Sequence, residues 1–224
     1  MSARLLALYC LLNPVVSSAW TGSNGSAGPS VVVYLKSDSA QPSRPLEFMK
    51  VELTALMSTP GYRVEWRDSQ SADRNADNAE LVLVELRGSC GIPAGKFVAD
   101  PAVGADSLAS THVSGARVLP FSWVNCENLT RLLGPALTGD AVAQRDYLYG
   151  RAMARLVAHE LYHILANTQD HCREGVGKAG FTVKDLLSER LEFATATIVR
   201  IGHHMTASSS PAPVINWNRP SGNR

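Results

Sequence analysis

Two histidines and one glutamate stand at a spacing that suits metal-assisted chemistry. His159 and His163 lie four residues apart in the segment HELYH, and Glu160 follows the first of them directly. Four residues of a helix make slightly more than one turn and rise about 6 Å, so both imidazoles leave the same face. Two ring nitrogens placed in this way can bind one zinc ion at about 2.0–2.1 Å. The spacing therefore predicts a metal site on a helix.

Glu160 is predicted to act beside the ion as a general base. On a helix it is rotated by about 100° from His159, so its carboxylate can take a proton from a water molecule that the ion has acidified. The competing interpretation is two histidines and a glutamate in ordinary surface roles. A chance HExxH is expected in about one chain in a hundred of this length. The segment therefore indicates a zinc-dependent hydrolase.

A catalytic zinc ion usually has three protein ligands and one open position, and the favoured third ligand is His171. It comes eight residues after His163. Asn167 and Thr168 continue a helix poorly, so the chain can turn back there and return an imidazole to the ion. The other candidates are carboxylates on the next helix or a histidine pair near the C-terminus: Glu189, Glu192, His203 and His204.

A long helical pattern is expected to carry HELYH. It runs from an N-cap at Thr138 or Asp140 to about residue 168, and Gly150 is a point where it can kink. A second helix is predicted over residues 183–201. The tail, residues 207–224, is rich in Ser, Pro and Asn and is predicted to be disordered.

The N-terminal half alternates apolar, strand-like runs with one helix. Strands are predicted at residues 31–35, 63–67 and 81–86, with one or two more within 111–124, and a helix at 46–56. This order indicates an α+β fold, in which a mixed sheet with one covering helix precedes the long helix and the C-terminal helix.

The first residues are typical of an export signal. Arg4 supplies a positive charge, residues 5–16 form an apolar stretch, and residues 17–19 (SSA) are small enough for a signal peptidase. The alternative is a buried first helix. We predict a signal peptide over residues 1–19, a single domain over residues 20–206, and a secreted or periplasmic location.

Export allows a disulfide among the cysteines that remain after Cys10 is removed. Cys90 and Cys126 both follow strand-like runs, so their pairing would join two strands. Cys172 would then stay unpaired, although the sequence alone leaves it either partner.

Composition excludes other classes of function. The 224 residues carry a formal net charge of +1, so no strong field of either sign points to nucleic acid. No run of 18 or more apolar residues lies beyond the N-terminus, and an internal membrane span is not expected. We expect a monomer.

HELYH followed by a further histidine resembles the zincin metallopeptidases, and most closely the metzincin branch, whose signature is HExxHxxGxxH with a methionine-containing turn. The stretch HELYHILANTQDHCREGVGKAGFTVKDLL is also similar to uncharacterised exported proteins of soil bacteria, especially acidobacteria. The resemblance covers about a seventh of the chain. It implies a zincin-like fold, Zn²⁺ as the cofactor, a protein or peptide as the substrate, and Glu160 as the general base. The ligands that it implies are His159, His163 and His171.

The chain departs from the metzincin pattern at several positions. Ala166 stands where the family has glycine, and the family's third-ligand position falls on Gln169, two residues before His171. No methionine follows before Met205, and the tyrosine that assists some members has no counterpart. Two alternatives therefore stay open: a non-catalytic, zinc-stabilised envelope or binding protein, and a different hydrolase, such as an amidase, on the same metal site.

Two nearby features have both a catalytic and an ordinary interpretation. Lys178, within the glycine-rich residues 175–180, could steady a developing oxyanion, although a solvated loop lysine is the more usual role. Thr111-His112-Val113 could belong to an edge strand that aligns an extended substrate. His112 is interpreted as an exposed strand residue rather than as a ligand.

Overall fold

A computed structural model describes residues 28–68, 79–93 and 107–208 of the chain. The predicted signal peptide and residues 209–224 of the predicted tail lie outside these ranges. Among the described residues, no helix combines the length and the apolar character that crossing a membrane requires.

Five strands form one mixed sheet in the order β2-β1-β3-β5-β4. Neighbouring strands run parallel in β1 (Ser30–Ser37), β2 (Arg63–Asp68), β3 (Ala79–Arg87) and β5 (Arg117–Asn125). β4 (Ala109–Ser114) pairs antiparallel with β5 and forms one edge. The central strands are the apolar runs that the sequence analysis identified, as expected of strands buried within a parallel sheet.

Five helices in the described part of the chain accompany the sheet, of which the first three pack against its strands and the last two pack against the third. They are α1 (Ser43–Ser58), α2 (Cys126–Leu137), α3 (Val142–Leu165), α4 (Val183–Leu187) and α5 (Thr195–Ser208). Alternate residues of the central strands, such as Val31, Val33 and Val82, share one apolar core with Met49 of α1 and Met153 of α3. The predicted α+β architecture of mixed sheet, covering helix, long helix and C-terminal helix is confirmed.

α3 is one continuous helix from Val142 to Leu165, so Gly150 does not divide it. The glycine instead allows α1 to approach closely, because a Cβ atom there would lie 2.5 Å from the carbonyl oxygen of Pro45. The helix also begins at Val142, a few residues after the predicted N-caps. Packing between two helices therefore explains the glycine.

The single helix predicted over residues 183–201 is wrong, because the chain forms α4 and α5 with a break between them. The fully buried Arg155 of α3 donates hydrogen bonds to the carbonyl oxygens of Asp185 (2.8 Å) and Leu186 (3.0 Å). Arg151 donates to the carbonyl of Ser188 at 3.0 Å. The last carbonyls of a helix have no partner in a further turn, so the arginines satisfy the carbonyls at the end of α4.

The predicted disulfide between Cys90 and Cys126 is present. It joins the residues that follow β3 to the first residue of α2, which comes directly after β5. Cys172 is the free cysteine in the part of the chain that the structure describes.

Candidate metal centre

The two helix histidines are buried, and backbone carbonyl groups hold their rings. His159 and His163 are each 8% exposed, near the C-terminal end of α3. The Nδ1 atom of His159 lies 2.8 Å from the carbonyl oxygen of Val176, and that of His163 lies 2.8 Å from the carbonyl oxygen of Thr168. The two Nε2 atoms face each other at 3.1 Å.

This arrangement fits two ligands of one metal ion. A carbonyl oxygen only accepts a hydrogen bond, so each Nδ1 atom carries the hydrogen and each Nε2 atom carries a lone pair. Two lone pairs at 3.1 Å repel each other unless a cation lies between them. Two nitrogens bound to one tetrahedral zinc ion are about 3.3 Å apart, given bonds of about 2.0–2.1 Å. Metal-binding histidines usually donate their other ring N–H in this way.

Protonation does not offer an alternative explanation for the close nitrogens. Burial lowers the pKa of His159 from 6.5 to about 4, and burial is also the main reason that the pKa of His163 is lowered. Both rings are therefore neutral near pH 7. Zinc requires this neutral form, so protons compete weakly for the site at that pH.

His171 joins the two helix histidines. Its ring stacks on that of His159 with centroids 5.2 Å apart, and it lies edge-on to His163 at 4.8 Å. One ligand atom from each of the three residues lies within 4.8 Å of the others, although His171 itself is exposed. The three histidines therefore form a group that can hold a metal ion, with two members buried and one at the surface.

The turn that returns the chain to the site is made by an asparagine. Ala166 keeps a right-handed conformation, and the left-handed residue is Asn167, with φ of 43°. Asparagine is one of the few non-glycine residues that adopt this conformation readily. Its side-chain oxygen also accepts a hydrogen bond from the Val118 amide at 3.0 Å. The chain thus turns at Asn167, and His171 lies four residues beyond this turn.

Glu160 is buried beside the histidines. It is 4% exposed, and its Oε2 atom accepts a hydrogen bond of 2.6 Å from the Thr111 hydroxyl on β4. Burial raises the pKa of Glu160 from 4.5 to about 7, while the Thr111 hydrogen bond acts in the opposite direction. A carboxylate with a pKa near 7 suits a general base, which must both accept and release a proton at neutral pH.

The segment that supplies the Val176 carbonyl is fixed to α4. The Lys178 ammonium lies 2.6 Å from the Asp185 carboxylate, and Thr182 and Asp185 form a capping box. Phe181 packs edge-on against the His159 ring at 5.4 Å. Since Arg155 binds the end of α4, the loop and α3 are joined around the histidines. The ion pair with Asp185 gives Lys178 a structural role.

A cleft of about 330 Å³ opens onto the three histidines and Glu160. One wall comes from β4 and its surroundings, including Ser110 and Thr111, and the other from the turn after α3, including Thr168 and Gln169. A larger depression of about 620 Å³ lies beside Pro42 and Glu127 on another part of the molecule and contains none of the histidines. The smaller cleft is therefore the candidate active site.

The remaining candidates lie elsewhere. Glu189 and Glu192 line a separate pocket with Arg155, so the structure does not bring them to the histidines. His203 and His204 belong to α5, and their side chains lie outside the described part of the chain. His112 is exposed and borders a pocket with Leu83 and Phe121, on the other face of the sheet.

Sequence reasoning missed three partners of the site. The carbonyls of Val176 and Thr168 carry no side-chain signal, because any residue could supply them. Thr111 was identified only as part of an edge strand, and its bond to Glu160 spans 49 residues. Asn167 was readable as the end of the helix, but its bond to Val118 was not.

No protein-family model and no curated protein matches this chain. Among solved structures, it is similar to the crystal structure of archaemetzincin from Methanopyrus kandleri, with a TM-score of 0.43 and 13% sequence identity. The alignment covers 83% of this chain and 99% of that chain. The roles of the residues in the cleft therefore depend on their own geometry.

Proposed function

We propose that this chain is a zinc-dependent peptidase in which His159, His163 and His171 hold the ion and Glu160 is the general base. The observation that carries the proposal is the pair of facing Nε2 atoms, 3.1 Å apart, with a buried carboxylate on the next residue. Cys172 contacts Thr197 and Tyr162 rather than joining the histidine group. This favours an open, catalytic site over a closed site of four protein ligands.

Zinc, when bound, polarises a substrate carbonyl and acidifies a water molecule. The residues of the chain supply the proton transfers and the surroundings. Glu160 accepts a proton from the attacking water and delivers it to the nitrogen of the leaving amine. Its burial excludes bulk water that would compete for this proton. The carbonyls of Val176 and Thr168 keep both helix histidines in the tautomer that leaves Nε2 free.

The substrate is a protein or peptide in this proposal. β4 lies at an edge of the sheet and its residues line the cleft, which supports a substrate that lies along this strand. An extended peptide can add to such an edge as a further strand. The site of action lies outside the cytoplasm, since the Cys90–Cys126 disulfide is of a kind that persists in oxidising compartments.

The decisive test compares Glu160→Gln with the wild-type chain for zinc content and for cleavage of fluorescein-labelled casein. The variant keeps the shape of the side chain but cannot accept the proton. We expect about one zinc ion per chain in both proteins and a loss of rate of about 10²–10⁴-fold in the variant. Zinc is measured by atomic absorption after dialysis.

Glu189→Gln is the matched control, because Glu189 lines a different pocket. It should keep both the zinc content and the rate. A wild-type chain that binds zinc but cleaves no casein would favour the non-catalytic, zinc-stabilised protein. A Glu160→Gln variant with the wild-type rate would remove Glu160 from the mechanism.

A further inference from the structure

A short hydrogen bond joins the edge strand to the carboxylate of the proposed general base, and a longer contact of 3.4 Å joins the same hydroxyl to the backbone carbonyl of Glu160. The Thr111 hydroxyl on β4 lies 2.6 Å from the Oε2 atom of Glu160 on α3. A hydroxyl has one hydrogen, and a carboxylate oxygen can only accept it. This bond occupies one lone pair of Oε2 and none of Oε1, so Oε1 is the carboxylate oxygen better placed for proton transfer. Hydrogen bonds to an ionised group are short and among the stronger ones in proteins.

We propose that Thr111 is a positioning residue for Glu160, which it holds so that Oε1 is the oxygen that carries the proton. This inference rests on the proposed peptidase function. The O–H bond of the attacking water breaks as its proton bonds to Oε1. The same proton then passes to the amine nitrogen as the carbon–nitrogen bond breaks, which restores the carboxylate. Throughout, Oε2 keeps its bond to Thr111.

The register of the sheet places Thr111 at this position. Thr111 pairs with Ser122 of β5, and Ser122 is 4% exposed on the core side of the sheet. The pairing shifts register directly after Thr111, before Val113. Thr111 is therefore the last β4 residue in the first stretch of regular pairing. Its side chain faces α3, while the next residue, His112, borders a pocket on the opposite face.

This placement links substrate binding to the base. β4 is both a wall of the cleft and the element that orients Glu160. A peptide that pairs with β4 would contact the same strand that carries Thr111. A displacement of about 1 Å at a reacting group can lower the rate by about 100-fold. We therefore expect the catalytic step, rather than substrate affinity, to respond to Thr111.

The test measures kcat and KM of zinc-loaded protein on a fluorogenic peptide built from a casein bond that the wild-type chain cuts. Thr111→Val keeps the shape but removes the hydroxyl, whereas Thr111→Ser keeps the hydroxyl. We expect Thr111→Val to lower kcat by about tenfold or more, with KM within about twofold. Thr111→Ser should restore kcat to within about threefold of wild type.

Thr130→Val is the matched control. Thr130 is also half-buried, and its hydroxyl makes hydrogen bonds with the carbonyl of Gly91 and with Tyr149, away from the cleft. This variant should lower the melting temperature but leave kcat unchanged. The inference is overturned if Thr111→Val keeps kcat, or if Thr130→Val lowers kcat equally. A wild-type chain that cuts no protein overturns the proposed function, and this inference with it.

A second measurement needs no activity. In the metal-free protein, Thr111→Val should lower the melting temperature by about 3–6 °C, because the buried carboxylate loses its partner. In a Glu160→Ala background the same change should cost about 1 °C or less, since the hydroxyl then keeps only the backbone carbonyl of residue 160, at 3.4 Å, as a partner. Equal losses in both backgrounds would show that Thr111 stabilises the fold without acting through Glu160.

Discussion

The helix histidines and His171 belong to regions of different character. His159 and His163 lie on the buried end of α3, and a backbone carbonyl fixes each ring. His171 is exposed, in the connection between α3 and α4, and packs against the other two rings. We therefore expect two ligands to be in place before a metal ion binds, and the third to be ordered as it binds.

The two regions are expected to contribute differently to the affinity for a metal ion. A ligand that is already fixed contributes its bond to the ion without an ordering cost, whereas an exposed side chain loses conformational freedom on binding. His159 and His163 should therefore contribute most of the affinity for the metal ion. The exposed His171 completes the histidine group at the surface, where it lines the cleft.

The largest effect should come from removing a buried ligand. We expect His159→Ala to weaken zinc binding by more than the roughly 10–100-fold that loss of an outer partner typically causes. His171→Ala should weaken it less, because a water molecule can take the exposed position. Competition with a chromophoric chelator measures both affinities. A greater loss of zinc affinity in His171→Ala than in His159→Ala would show that the exposed histidine, and not the buried pair, contributes most to the affinity.

A smaller effect should follow from changing the turn between the two regions. Asn167 has φ of 43°, a conformation that costs a residue with a Cβ atom roughly 1–2 kcal/mol. Asn167→Ala keeps a Cβ atom in this conformation but loses both the tolerance of asparagine for it and the bond to Val118, so it should lower the free energy of unfolding by about 1–2 kcal/mol, measured by urea denaturation. Asn167→Gly relieves the backbone but loses the bond to Val118. It should be the more stable of the two variants, and equal stability would exclude backbone strain.

The smallest effect concerns pH and the buried region alone. The pKa of His159 is lowered to about 4, so the unfolded chain binds the extra proton below about 6.5 and stability rises with pH between 4 and 6.5. The pKa of Glu160 is raised to about 7, so the folded chain holds a proton that the unfolded chain has lost above about 4.5. The stability that this proton gives is complete below 4.5 and is lost as pH rises through 7. Between about pH 4.5 and 6.5, His159 makes stability rise with pH and Glu160 makes it fall, so the two effects oppose each other.

Glu160→Gln removes the fall of stability with pH that Glu160 causes, because glutamine does not titrate. The melting temperature of the metal-free variant should therefore rise more steeply from pH 4.5 to 6.5 than that of the metal-free wild type. Thermal unfolding in chelator-treated buffers measures both slopes. Parallel slopes would mean that Glu160 is not protonated in the folded protein at these pH values.

Local patterns predicted the buried region well. The spacing of His159 and His163 requires only helix geometry, and the apolar runs of β1 and β3 follow from burial within a parallel sheet. The Cys90–Cys126 pairing followed from the strands that precede both cysteines. In each case the signal lies within a few residues of the feature.

Features that depend on distant contacts were missed. The sequence did not predict α2, which follows β5 without a loop and contains Pro135. Its N-cap, Asn125, is also the last residue of β5 and therefore gave no separate signal for a helix start. The carbonyls at the end of α4 are satisfied by Arg155, 30 residues earlier, and the close approach at Gly150 depends on α1. Such contacts are set by tertiary packing, which overrides local propensity.

The disulfide gives the cleft a form of protection that hydrogen bonds cannot provide. It closes a covalent ring from Cys90 to Cys126, and that ring contains both β4 and β5. A single cut between residues 93 and 107 would open the ring without releasing either strand. The nicked chain would run as one species on a non-reducing gel and as two after reduction. A chain cut in this way would thereby keep β4 as a wall of the cleft.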